Sequence, residues 1–106
     1  MNHGLTPRQL AVIKGILRPY ADRLVRVDLF GSRATGNWRP NSDIDLALYG
    51  RLEEKDVDRL RTLFLESSLP VAVDVKQYER TAYPPLRAHM DAVRQCLFTH
   101  AELTKE

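Results

Sequence analysis

The chain of 106 residues has a single cysteine, Cys96, and no apolar run near the ~20 residues that a membrane helix needs. One cysteine cannot close an internal disulfide, so a disulfide-stapled secreted scaffold is excluded and a reducing, cytoplasmic compartment is expected. The N-terminus has no signal-peptide core, and no repeat or low-complexity tract interrupts the chain. An excess of one charge is missing as well. Sixteen Lys and Arg against fourteen Asp and Glu leave a net charge of +2, too little to argue for a nucleic-acid or membrane partner. Neither is therefore expected. What remains is an ordinary globular composition, 43% apolar and 28% charged. A chain of this size forms one domain burying about two-thirds of the surface its unfolded form exposes, with a core over about residues 7–99.

The informative stretch runs from Phe30 to Leu48, FGSRATGNWRPNSDIDLAL. In Asp43-Ile44-Asp45-Leu46-Ala47-Leu48 the apolar period is two, which is strand spacing. Asp43 and Asp45 therefore share a face, roughly 6.6 Å apart at Cα, and Ile44, Leu46 and Leu48 face a core on the other side. Two neighbouring carboxylates repel unless positive charge lies between them. A divalent metal is the usual solution, and hard oxygen ligands suit Mg²⁺. Upstream, Gly31-Ser32 follows the apolar run Val25–Phe30 and opens a helical turn whose free N–H groups form an anion site. A metal-binding carboxylate pair facing a phosphate-binding turn reads as phosphoryl or nucleotidyl transfer.

The surrounding chain reads as alternating helices and strands. Thr6, Pro7 and Gln9 supply an N-cap, a first helical position and a capping box, and Leu10, Ile13 and Leu17 form the stripe of that helix. Pro19 ends it. Strand one is expected at about Leu24–Phe30, with Val25, Val27 and Leu29 on one face. Strand two carries the aspartates and stops at Gly50. A helix over Leu52–Ser67 buries Val57, Leu60 and Phe64 and leaves Asp56, Arg59 and Arg61 outside. Strand three is expected at Val71–Tyr78, and a last helix from Pro84-Pro85 to about Phe98 presents Leu86, Met90, Val93 and Leu97. Ala101–Glu106 is expected to fray. If Ser32 and Asp43 serve one site, strands one and two are antiparallel, whereas the helix between strands two and three implies parallel pairing. The expected fold is α+β: a three-stranded mixed sheet flanked by helices, in the order α-β-α-β-α-β-α, with the aspartate strand central.

Several residues admit a second reading. Gly31-Ser32 could be a plain N-cap. Arg33 could be a phosphate ligand or a counter-charge to the aspartates. Asp74 lies among valines in Val71-Ala72-Val73-Asp74-Val75, where an acid is costly unless partnered; the partner could be Lys76, an arginine or a metal. Gly31-x4-Gly36 lacks the Lys-Ser/Thr of a P-loop. Leu48 stands where an EF-hand loop needs glycine. His3, His89 and His100 lack metal-ligand spacing and read as structural or surface residues. Cys96 falls on the last helical pattern and reads as core-flanking rather than nucleophilic. Trp38 is a loop anchor or a contact surface.

The sequence Leu29-Phe30-Gly31-Ser32-Arg33-Ala34, followed by Ser42-Asp43-Ile44-Asp45-Leu46, resembles the polymerase-β-type nucleotidyltransferase superfamily, and within it the minimal nucleotidyltransferases. The likeness runs from about Leu10 to Phe98. It implies the polymerase-β-like fold and makes Asp74 the third carboxylate of the site. Many minimal members read GSRARG, and Thr35 stands here in place of their second arginine. By this resemblance Asp43, Asp45 and Asp74 are the catalytic and metal-binding residues, holding two Mg²⁺ ions. Gly31, Ser32 and Arg33, with Asp43 and Asp45, bind a nucleoside triphosphate such as ATP. The chain's length leaves no region for an acceptor. The implied partner is a HEPN-type ribonuclease toxin, adenylylated on a tyrosine hydroxyl by the chain acting as its antitoxin. Two other functions fit the same residues: a catalytically weak module that silences its partner by occlusion, and a small-molecule nucleotidyltransferase of the aminoglycoside type.

Overall fold

A computed structural model describes residues 3–105. The first helix, α1 (Pro7–Leu17), begins on the expected reciprocal cap: Thr6 Oγ1 accepts from the Gln9 N–H at 3.1 Å, and Gln9 Oε1 accepts from the Thr6 N–H at 3.0 Å. Ile13 and Leu17 on its inner side are fully buried. A 3-10 turn, Arg18–Arg23, carries Pro19 and leads into β1 (Leu24–Phe30). Then follow α2 (Ser32–Thr35), β2 (Ile44–Gly50), α3 (Glu54–Leu65), β3 (Val73–Gln77), α4 (Pro84–Val93), β4 (Gln95–Thr99) and α5 (His100–Thr104).

Among the described residues the strands form one sheet in the order β3-β2-β1-β4. β1 runs antiparallel to β2 and to β4, and β3 runs parallel to β2. The fold is thus α+β with a mixed sheet, and the aspartate strand lies between β1 and β3. On one face Val27, Leu29, Ile44, Leu46, Leu48 and Val75 pack with Ile13 and Leu17 of α1 and Val57, Leu60 and Phe64 of α3. On the other, Phe30, Ala47 and Tyr49 meet Met90 of α4. Among the described residues no helix is long and apolar enough to cross a membrane.

The sheet has four strands rather than three. The stripe Leu86, Met90, Val93 and Leu97 keeps helical spacing throughout, but Arg94 leaves the helical region (φ −53, ψ 138) and the chain turns to pair with β1. An otherwise open β1 edge gains a ladder, shifted in register between Val27 and Asp28, and that pairing overrides the local period. Cys96 therefore sits on a strand, exposed. Beyond it, Thr99 caps α5 with Glu102, and Leu103 is fully buried, so the expected frayed end is a docked helix turn. The core also takes in Leu5 at the opposite terminus.

A second correction concerns β1. Leu24 pairs with Gly50 and Arg26 with Tyr49, so two steps on β1 match one on β2. Val25 is the extra residue of this bulge and points outward, 66% exposed, while Val27 and Leu29 are fully buried.

A carboxylate site at the Gly31 turn

Asp45 lies on β2 between Ile44 and Leu46, both fully buried, so the alternation of the strand turns it to the α4 face. Its Cα partner across the parallel ladder is Asp74 of β3, and its antiparallel partner is Phe30 of β1. Directly paired residues share a face. Asp74 and Asp45 are therefore side by side, and Gly31, the next residue after Phe30, comes down against Asp45. Asp43 is exposed and sits one residue before β2.

The contact between turn and strand explains the glycine. Gly31 has φ 71 and ψ −155, a conformation that side chains with a Cβ rarely adopt. A Cβ there would also collide with Asp45 Oδ2. The turn continues as α2, with Ala34 and Thr35 N–H groups donating to the Gly31 carbonyl at 3.1 and 3.2 Å. It is closed by Gly36 in the left-handed region, φ 86.

Electrostatically the site is short of positive charge. Burial, then the charges of Asp74 and Asp43, push the Asp45 carboxyl up to about 6, against opposing effects of His89 and Lys76. Lys76 Nζ lies 3.6 Å from Asp74 Oδ1, a loose pair with both side chains substantially exposed. Among the described residues no three His, Cys, Asp or Glu side chains are grouped closely enough to hold a metal ion by themselves. The donor set nevertheless suits Mg²⁺, which keeps several waters and is bound through one or two carboxylates plus substrate phosphates rather than in an all-protein cage. A carboxylate whose ionisation is opposed by burial and by neighbouring like charges is what such an ion would relieve.

Arg33 is placed differently from either of its expected roles. It is 3% exposed. Nη1 donates to the His3 carbonyl at 2.9 Å and Nη2 to the Ser42 carbonyl at 3.0 Å, with the guanidinium 5.6 Å over the Trp38 ring. It thereby ties the helical turn to the residue preceding Asp43. Burial lowers its pKa. Trp38 closes this packing from below, its ring against Gly4. Thr35 hydrogen-bonds back to the Ser32 carbonyl at 3.2 Å, so it supplies no cation where the resembling sequences have one. His3 and His100 serve the backbone: His3 Nδ1 accepts from the Leu5 N–H, and His100 Nδ1 lies 2.8 Å from the Leu24 carbonyl.

One residue of the site gave no sign in the sequence. His89, on α4, accepts the Gly31 N–H through Nε2 at 3.2 Å and stands edge-on to Phe30, ring centroids 6.2 Å apart at 79°. It is separated from Gly31 by 58 residues, and no local spacing marks it.

Residues 12–103 match the family described as Polymerase beta, Nucleotidyltransferase. The chain belongs to this nucleotidyltransferase family. It is 37% identical over 76 residues to a Haemophilus influenzae protein named probable protein adenylyltransferase MntA, a match covering 70% of this chain and 66% of that protein. The chain thus matches just under two-thirds of that relative's length. This nucleotidyltransferase domain is also similar to a crystal structure of a toxin–antitoxin with AMP-PNP, at 26% identity and TM-score 0.68, covering 90% of this chain and 80% of that one. A toxin–antitoxin MntA–HpeT mutant structure shares the fold, with TM-score 0.66 at 24% identity and coverage of 94% and 80%.

Proposed function

We propose that the protein is a Mg²⁺-dependent nucleotidyltransferase that moves a nucleoside monophosphate, AMP from ATP, onto a hydroxyl of a partner protein. In this reading the partner is a HEPN-type ribonuclease toxin and the chain is its antitoxin. The observation that carries the reading is the Gly31 turn lying against Asp45, whose ladder partner is Asp74. The likeness to a protein adenylyltransferase and to a toxin–antitoxin with AMP-PNP supports it.

Gly31 and Ser32 bind the β- and γ-phosphates through backbone and hydroxyl donors. Asp43 and Asp45 would hold the metal ions, and Asp74 would add a carboxylate on the acceptor side. Bound Mg²⁺ would neutralise the triphosphate and the clustered carboxylates. The partner's hydroxyl oxygen attacks the α-phosphorus in line. A P–O bond forms as the bond to the pyrophosphate oxygen breaks, and Asp74 receives or orients the hydroxyl proton. Arg33 acts from beneath, fixing the Ser42 carbonyl and so the approach to Asp43.

The test is co-expression with the protein encoded beside it, weighed by intact mass spectrometry. Wild type should add one or more nucleotidyl groups to the partner. Asp74→Asn should bind triphosphate and partner but add nothing, and should fail to protect cells from the toxin. If the Asn variant protects as well as wild type while the partner stays unmodified, the protein works by occlusion and the enzyme reading is wrong.

A further inference from the structure

The Gly31 N–H already has an acceptor: His89 Nε2 at 3.2 Å. Gly31 can move little, since its φ is 71 and Asp45 Oδ2 blocks the place of a Cβ. The direction of its N–H is therefore set by the fold. His89, by contrast, is an exposed side chain steadied by an edge contact with Phe30. An imidazole nitrogen accepting this N–H occupies the position that an anionic oxygen would take on the same donor.

Among the described residues the cations close to the turn already have partners, Arg33 firmly and Lys76 loosely. Arg33 donates to the His3 and Ser42 carbonyls, Lys76 lies beside Asp74, and Thr35 carries no charge. A triphosphate arriving at Gly31 would meet three carboxylates and few donors. His89 is near enough to Asp45 to oppose the rise in its pKa. We infer that His89 is a nucleotide-binding residue: its imidazole caps the Gly31 amide in the free protein, gives way to a triphosphate oxygen, and then, with the ring proton exchanged through solvent from Nδ1 to Nε2, donates a hydrogen bond to that phosphate group. This rests on the nucleotidyltransferase reading above and adds to it a ligand from α4, the helix that closes the site face.

The imidazole accepts one ordinary hydrogen bond in the free state and would donate a charge-assisted one in the bound state, so binding gains on balance. His89→Ala should weaken Mg²⁺–AMP-PNP binding by about tenfold in calorimetry. His89→Gln, whose amide can both accept and donate, should stay within about threefold of wild type. The ¹⁵N spectrum supplies a second readout. In wild type, adding Mg²⁺–AMP-PNP should shift both the Gly31 amide and the His89 Nε2 resonance, the latter moving from acceptor-like to donor-like. In free His89→Ala the Gly31 amide should lose its hydrogen-bonded shift.

Equal or tighter binding by folded His89→Ala overturns the inference and makes the imidazole a plain cap. So does an unmoved His89 resonance on saturation. If Asp43→Asn loses metal-dependent binding while His89→Ala does not, the nucleotidyltransferase reading survives and only this one falls. If wild type itself fails to bind Mg²⁺–AMP-PNP, both fall together.

Discussion

Asp28 and Asp45 share one face of the sheet, and the fold surrounds them in opposite ways. Asp28 on β1 is 1% exposed, with Arg26 Nη2 3.0 Å away. That guanidinium lies 4.5 Å over the Tyr49 ring, Tyr49 stacks on Tyr78 at 4.5 Å, and Arg87 covers Tyr78 at 4.3 Å. The charge at this end is answered from within, and the answering cation is held in an aromatic stack. At the other end Asp45 has Asp74 as its ladder partner and Asp43 two residues before it. Its carboxyl is pushed up to about 6 instead of being stabilised as an anion. One backbone thus presents an ion-paired acid and one set among like charges on the same surface. A structural acid comes with its counter-charge; a cluster with only a loose, exposed one, as Lys76 gives Asp74, is suited to a charge that arrives with the substrate.

The largest expected effect breaks the closed end. Arg26→Met keeps length but removes the cation, leaving Asp28 buried and unpaired, which should cost about 3 kcal/mol in urea unfolding. Asp45→Asn should leave stability unchanged or raise it by about 1 kcal/mol, because it removes like charge from a partly buried cluster. Measured without divalent metal at neutral pH, the two variants should move in opposite directions. Losses of similar size in both would mean that Asp45 is held by a counter-charge, and the contrast between the two ends would fail.

A smaller effect sharpens the comparison through pH. The Asp45 carboxyl titrates at 3.8 when unperturbed and at about 6 in the folded protein. Between those values the native state keeps a proton that the unfolded chain has lost, so stability falls as pH rises through that window and levels off above it. Solvent screening of a partly exposed group limits the change to about 1–2 kcal/mol. The quantity to measure is the difference between wild type and Asp45→Asn from pH 4 to 7, since Asp56, held low by its hydrogen bond to Arg23, tilts the total the other way. A difference that is flat across this range would remove the repulsion on which the metal site is argued.

These contrasts bear on how much could be read from residues alone. The alternation of β2 from Ile44 through Asp45 to Leu48, the turn at Gly31 and the Thr6–Gln9 cap were legible because each is decided within a few residues, although Asp43 falls just before the strand. So were the antiparallel and parallel pairings of β2, which follow from its connections. Distant pairing decided what was not legible. The helical stripe through Leu97 gave no warning that Arg94 turns the chain into β4. His89 reaches Gly31 only because α4 returns across the sheet. Arg33 read as a phosphate ligand or a counter-charge to the aspartates because nothing nearby in sequence announces the carbonyls that it holds.

The smallest effect tests the bulge that defeated the simple strand pattern of β1. By alternation Val25, Val27 and Leu29 should be equivalent core residues, yet Val25 is 66% exposed and Val27 is fully buried. The difference is the one-residue mismatch between Leu24–Gly50 and Arg26–Tyr49, which turns Val25 outward and restores the inward phase at Val27. Val25→Ala should therefore change stability by less than about 0.5 kcal/mol. Val27→Ala, which empties two methyl groups from a packed core, should cost about 2 kcal/mol. The bulge also decides which end residue of β1 is buried, since without it Val25 would turn inward with Val27 and Leu29, and Leu24 would turn out. Equal losses in the two alanine variants would mean a regular β1 in solution, with Val25 turned inward beside Val27 and Leu24, buried here, turned out.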